Sequence, residues 1–252
     1  MRDQRVYLNG IDLQSVHPSI LLQHIHDNGL RLDVKSADRA GAPGQFMTGW
    51  RPQSREITVE FAIRERLDFT VRAQAITAVT AWAAGGGWLE LSDRPGLRMY
   101  VALTEAPSLG KLREWTADLS MTFTAYEWPF WSESAPVVAS DTLTTGSLTV
   151  NVTGTWDTRL EAEITPASTA LTSVVITVGG ETMTLSSLSV AAESTLKIWW
   201  DERHLLRITN GSTGLLSHRT GSDLPLAPGS HTVTLTFNTD CDVRLWARGC
   251  YL

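Results

Sequence analysis

The chain has 252 residues, 42% of them apolar, which is length for one large or two ordinary cores and rules out a disordered polypeptide. Lys and Arg number 21 against 27 Asp and Glu, a formal charge of −6 that argues against a dedicated nucleic-acid binder with its basic stripe. Only Lys35, Lys111 and Lys197 are lysines, and the ten Trp with an Arg-dominated positive charge match the composition favoured at interface centres, which a GC-rich genome also produces.

The N-terminal MRDQRVYLNG holds no apolar signal core. Val6–Leu8 and Leu30–Val34 are expected as short strands, with Asn28-Gly29 a turn signal between chain segments. Ser36–Gly49, rich in Gly, Ala, Asp and Pro, reads as a long loop. REITVEFAIRE then alternates: Ile57, Val59, Phe61 and Ile63 share the buried face of a half-buried strand.

Leu67–Ala84 follows helical spacing, with Val71, Ala75, Ile76, Val79, Trp82 and Ala83 as its apolar stripe. Asp68 is the expected N-cap and Gly85-Gly86-Gly87 the stop. Because these glycines follow a helix, they make a cap and no phosphate cradle. The window Ala75–Ala84 is the most apolar and far too short to span a bilayer, so no membrane insertion is expected.

Trp88–Leu91 and Met99–Leu103 are strands around the turn SDRPG. Trp115–Ala125 alternates most cleanly, Ala117, Leu119, Met121, Phe123 and Ala125 facing in, and Pro129 is expected to end it. The aromatic run TAYEWPFWSE that follows reads as a buried seam, covering the end of the first domain or packing between domains. A ligand platform would need polar groups converging on the rings.

Beyond Glu133 no segment has helical periodicity, and short strands recur at roughly ten-residue intervals, the pattern of an all-β sandwich. Leu148, Val150 and Val152, then Leu160, Ala162 and Ile164, alternate; VVITV-GG-ETMTL is a hairpin; Val233, Leu235 and Phe237, then Val243 and Leu245, face in. Ser134–Leu143 reads as the linker between two domains. The expected organisation is mainly β: a barrel- or sandwich-like domain over 1–135 with one helix, and a β-sandwich over 136–252.

No catalytic motif of the nucleophile-elbow, zincin, P-loop or dinucleotide type occurs, so no enzyme, cofactor or metal is expected. His24 and His26 would share a strand face, but without a third ligand they read as surface histidines. Glu161 and Glu163 likewise read as a solvated strand face. Cys241 and Cys250 fit no zinc spacing and read as reduced thiols. Trp199, Trp200, Arg203 and His204 could together stack on and hydrogen-bond a glycan. The plainer account is a strand, a turn over Asp201–Arg203 and a second strand from Leu205, with one Trp pointing outward.

REITVEFAIRE, a helix closing on GGG, WLELSDRPGLRMYVALTE and DLSMTFTAYEWPFW, in that order, resemble the N-terminal domain of the siphophage distal tail (Dit) protein family. The matching motif positions are Asp93, Pro95 and Tyr100, then Trp128, Pro129, Phe130 and Trp131. In the second half, Gly154, Thr155 and Pro166 and the run Leu224, Pro225, Leu226, Pro228, Gly229 resemble that family's galectin-like sandwich. The resemblance implies a structural virion protein at the tail tip, assembled in the host cytoplasm. It would form a hexameric ring between the tail-tube protein and a hub, lysin or fibre protein, with DNA touching it only in passage. Six copies would carry 6 × (−6) = −36 in formal charge, which implies an acidic or neutral lumen that DNA does not adhere to. The compact second half holds no long inserted carbohydrate-binding module. The alternatives from the residues are a glycan-binding protein and a tube subunit.

Overall fold

The computed structural model describes residues 4–39, 45–64, 68–112 and 116–252. The chain divides into two compact units, 1–131 with Leu252, and 132–251. Both are built of antiparallel strands, as expected of a mainly β chain.

In the first unit β1 (Val6–Leu8), β2 (Ile11–Asp12) and a one-turn helix α1 (Leu13–Val16) precede two long strands, β3 (Ile20–Asp38) and β4 (Gln45–Arg64). Helix α2 (Phe69–Ala83), β5 (Gly87–Leu91), β6 (Leu97–Leu112) and β7 (Thr116–Ala125) complete it. The sheet order is β2-β1-β5-β6-β7-β4-β3. Alternation dictates its buried face: Ile57, Val59, Phe61 and Ile63 of β4 and Ala117, Leu119, Met121 and Phe123 of β7 are all nearly inaccessible. Asp68 caps α2 as expected, accepting from the amides of Thr70 and Val71, and Gly86 (φ +60) takes the left-handed conformation beyond its end. The helix buries Ala75, Val79 and Ala83, spaced four apart, so that Trp82 lies beside that stripe and donates to the carbonyl of Ile11. Leu67 and Trp115, expected at element starts, lie outside the described residues.

Three sequence expectations are corrected here. Asn28-Gly29 makes no hairpin turn: β3 runs straight through it, and the pair forms a bulge where the register with β4 shifts between Asp27 and Leu30. Asn9-Gly10, with φ of 53° and 79°, is the true turn of that type, joining β1 to β2. The stretch expected as a loop over Ser36–Gly49 is largely strand, Ser36–Asp38 closing β3 and Gln45–Gly49 opening β4; residues 40–44 of that stretch lie outside the described residues. Finally, β7 stops at Ala125, four residues before Pro129, so the proline lies in the segment after the strand and is not its breaker.

After β8 (Trp131–Glu133), the second unit contains β9 (Ala139–Val152), β10 (Thr158–Pro166), β11 (Val174–Val178), β12 (Glu181–Leu185), β13 (Leu196–Trp200) and β14 (Leu206–Asn210). It continues with β15 (Thr213–Gly214), a single 3-10 turn over Leu216–His218, β16 (Arg219–Gly221), β17 (Pro225–Leu226), β18 (Gly229–Ala247) and β19 (Cys250–Tyr251). The β11–β12 hairpin turns on Gly179 and Gly180, both at positive φ, as its sequence predicts. Strand β18 joins two groups: Val174–Thr177 of β11 pair with its first half, Leu160–Pro166 of β10 with its second. β9 pairs along both halves of β18, so Ala139–Leu143, read as linker, is sheet. HTVTLTF and VRLWA, read as separate segments, are one strand.

Candidate assembly surface

Only from Arg55 onward does β4 have β7 beside it. Before Arg55, Gln45–Ser54 pairs, among the described residues, with Arg31–Asp38 only, a two-stranded ribbon beyond the edge of the core sheet. Its register sorts its side chains. Leu32 lies opposite Pro52 and Val34 opposite Trp50, so these four share one face, and Met47, opposite Ser36, continues it past the second bulge. The other face carries Asp33 opposite Arg51, ion-paired at 3.0 Å, Lys35 opposite Gly49, and at its far end the exposed Phe46 opposite Ala37. Along Arg31–Ser36 and Met47–Ser54 the ribbon has one more apolar face, and that face is open: Leu32, Val34, Met47 and Trp50 are 46–62% exposed. A two-stranded ribbon is marginal by itself, and its exposed apolar face makes it a candidate interaction surface.

The root of the ribbon is anchored by charge. The bulge at Asn28-Gly29 turns Asp27 inward, where Arg55 donates to both of its carboxylate oxygens at 2.8 and 2.7 Å. Arg94 reaches the same carboxylate at 2.9 Å, the Trp131 indole donates to it at 3.3 Å, and the Gly29 amide at 3.1 Å. Burial pushes the Asp27 carboxyl upward, but Arg55, the Gly29 amide and Arg94 together hold it below the ordinary carboxylate value. Arg94 also lies 4.9 Å above the Trp131 ring.

Most of the motif residues surround this anchor. Asp93 and Pro95 are exposed in the turn between β5 and β6, and the residue they flank, Arg94, makes the contact. Tyr100 packs edge-on against Trp88, ring centroids 5.4 Å apart. Trp131 and Phe130 are buried, Trp128 meets Phe130 at 4.9 Å, Pro129 is buried, and Tyr126 is exposed. Trp128 is half-buried, so the buried part of the aromatic run begins at Pro129. Sequence reasoning missed Asp27, Arg55 and Arg94, which lie on three separate elements and share no local pattern. Beside the bulge, Asn28, Gly29, Leu30, Arg31 and Glu56 line a shallow cleft that contains an Arg31–Glu56 ion pair.

In the second unit, the buried Leu224 accepts from the Leu160 amide through its carbonyl; Pro225 and Leu226 pair with Arg159 and Thr158. Pro228 is exposed, and Gly229 (φ +132) opens β18. Glu161 departs from expectation: instead of facing solvent it is buried beside Arg248 at 3.0 Å, while Glu163 is bound by Lys197 and Arg244. The cause is Arg248, remote in sequence, whose guanidinium also donates to the carbonyls of Glu133 and Ser134.

Of the four residues considered for glycan binding, the structure brings Trp200 and His204 together. The His204 ring stacks near Trp200 at 6.3 Å and the Arg159 guanidinium lies 5.0 Å from the same indole, so this ring is already engaged by protein. Trp199, on the opposite strand face, is half-buried and Arg203 is exposed. Asp201 is buried and organises the turn, accepting from the amides of Arg203 and Leu205 and pairing with Arg207. His204 sits at φ +54, and burial, then Arg159, drives its pKa down to about 3. His24 and His26 are exposed, and among the described residues no group of three potential metal ligands occurs. Cys241 and Cys250 are unbridged and buried, and burial raises the Cys241 thiol to about 11. No described helix is long and apolar enough to cross a membrane.

No family model matches the sequence, and no curated protein matches it either. Solved structures do. The crystal structure of the Dit protein of phage SPP1, described as a paradigm of the hub adsorption apparatus in phages infecting Gram-positive bacteria, superposes with a TM-score of 0.72 at 16% identity, covering 99% of each chain. The chain has the distal tail protein fold. A chain of the phage P2 baseplate in its activated conformation with Ca matches at TM-score 0.53 and 8% identity over 98% of both chains. The same baseplate with Sr gives 0.50 and 9% over 96%. The Dit fold thus extends over both units of this chain.

Proposed function

We propose that the chain is a distal tail protein of a long-tailed phage, a structural ring component that joins the tail tube to the tail-tip hub. The observation that carries this reading is the likeness to a tail hub protein over the whole length of both chains. The first unit forms a hexameric ring through head-to-tail contacts that close on themselves, and the apolar side of the 30–54 ribbon supplies the surface each copy lays on its neighbour. One side of the ring receives the tail-tube protein, the other a hub, lysin or fibre protein. The second unit serves as a galectin-like outer domain. DNA passes through a lumen that the chain's acidic balance keeps non-adhesive. The site chemistry is consistent with this: its charged groups are consumed in ion pairs that hold the ribbon and the 201–205 turn, and nothing observed in the second unit favours a sugar platform. Assembly takes place in the host cytoplasm and the protein ends in the virion tail tip, whether encoded by a free phage or a prophage.

Negative-stain microscopy of the purified chain, alone and mixed with the tail-tube and hub proteins of the same phage, tests the reading. Sixfold rings in either preparation support it. A chain that stays monomeric with both neighbours present, or one that polymerises into long tubes, overturns it.

A further inference from the structure

Sheet edges invite pairing, and the edges of this molecule are treated very unequally. At the ends of the two sheet paths β2, β15 and β16 have two or three residues each, and β3 carries His24, His26, Arg31, Asp33, Lys35 and Asp38 along its length. Short length and dense charge are the usual protections of an edge. β9 has neither. It is 14 residues long, pairs with β18 alone among the described strands, and contains one charged residue, Asp141, and no proline. Ser140, Thr142, Thr144, Thr145, Ser147 and Thr149 are exposed.

The strand also switches faces at its middle. Ala139 and Leu143 pack against the core in its first half, Leu148, Val150 and Val152 in its second. The inward positions pass from odd to even between Leu143 and Leu148, where the register with β18 also shifts. A second copy of the strand laid antiparallel along the first, with its midpoint on the same Thr145–Gly146 peptide, has the same switch in mirror order. Leu143 then faces Leu148 of the second copy, Thr142 faces Thr149 and Thr144 faces Ser147, while Ala139 faces Val152. On either side of the central Thr145–Gly146 pair, Ala139 with Val152 and Leu143 with Leu148 match inward to inward, and Thr142 with Thr149 and Thr144 with Ser147 match outward to outward, which an unswitched strand in this register would not allow, because a slip of one residue exchanges the faces. Asp141 meets Val150, so the two carboxylates are not opposed, and hydroxyl–hydroxyl and Leu–Leu cross-strand pairs are of the stabilising kinds.

We propose that β9 is a self-pairing edge, along which two copies of this chain join antiparallel about a two-fold axis between Thr145 and Gly146. The junction lies wholly in the second unit and extends its sheets through the partner with about one backbone hydrogen bond per paired residue. It is isologous, and so differs in kind from the head-to-tail contact that closes a ring. It does not depend on the ring: pairing along β9 doubles the mass of a free single chain, and joins closed rings to one another where the free species is a ring.

The test is sedimentation of the full chain from about 1 μM to about 1 mM, for wild type and two double variants. In Thr142→Lys/Thr149→Lys, lysine faces lysine at two places in the junction; in Thr142→Lys/Thr149→Glu, lysine faces glutamate at both. Any folding effect of the Thr142→Lys change is common to both variants and drops out of their comparison. The expected result is reversible mass doubling for wild type, a dissociation constant raised about tenfold or more in the Lys/Lys variant, and recovery in the Lys/Glu variant. A wild type that never doubles, including one whose edge captures only a strand of another protein, overturns the proposal. So does doubling with equal constants in all three proteins.

Discussion

Replacing Asp27 with Asn removes the charge at the root of the ribbon while keeping its shape. The side chain of Asp27 is 14% exposed and that of Arg55 6%, so the pair is screened little by water. Removing one partner of a buried pair costs about 3–5 kcal/mol, because the charge left behind has lost its compensation. Here the lower end applies, about 3 kcal/mol: Arg94 is 31% exposed and can turn to solvent, and Asn still accepts from Gly29. For a unit of this size the loss amounts to a fall of roughly 10 °C in the melting temperature of the first transition. Arg55→Met should cost a similar amount, since it leaves Asp27 buried with Arg94 as its remaining cation. The double variant removes both charges and should be more stable than the sum of the singles by at least about 1.5 kcal/mol. Calorimetry of the four proteins gives this cycle directly. The pH dependence adds a check of sign: a carboxylate held below 3.8 stabilises the fold above that pH and loses its effect as the pH falls through its folded value, so Asp27→Asn should flatten the acid limb below about pH 4. Additivity within about 0.5 kcal/mol, or a loss from Asp27→Asn below about 1 kcal/mol, would refute the anchor.

Three further expectations concern other places. Trp50→Ser together with Val34→Ser, at sites 46% and 53% exposed, should leave the melting temperature within a few degrees of wild type and abolish rings in negative stain; rings that persist would remove the ribbon from the interface. Asp201→Ala strips the 201–205 turn of two amide bonds and the Arg207 pair and should lower the second unit's stability by about 2–3 kcal/mol in urea titration, with the first unit unchanged. His204, with an ordinary value of 6.5 and a folded value of about 3, is neutral in the fold. Its contribution is complete above pH 6.5 and declines as the pH falls toward 3, by up to about 1.4 kcal/mol per pH unit. His204→Asn, which also suits the positive φ, should flatten the melting profile between pH 6.5 and 4.5, a window above the titration of Asp201; an unchanged slope would exclude the histidine as its source.

The Asp27 anchor and the ribbon were only partly legible in the sequence. The motif residues Asp93, Pro95 and Trp131 lie beside the anchor, yet the residue of that turn that contacts Asp27 is Arg94, which any pattern of turn formers leaves unmarked. The apolar members of the ribbon were hidden among residues typical of loops, since Gly49, Pro52 and Ser54 weaken the alternation of Trp50 with Met47 and Phe46. Glu161 could not be told from Glu163 by spacing, because its burial depends on Arg248, 87 residues away.

By itself the sequence determined what depends on near neighbours. Period-two alternation set β4 from Ile57 onward, β7 and β18; four-residue spacing with Asp68 in front set the helix; Gly179-Gly180 set a hairpin. Two other outcomes belonged to the tertiary structure. Asn9-Gly10 and Asn28-Gly29 are the same dipeptide, each tolerant of a positive φ, but the first closes a turn and the second only bulges a strand. What separates them is remote: Asn9 is held by the backbone of Gly86 and Trp88, whereas beyond Asn28 the strand continues against β4 with Asp27 drawn in by Arg55, Arg94 and Trp131. A local code permits both conformations at similar energy, and the choice falls to contacts that exist only once distant segments have met.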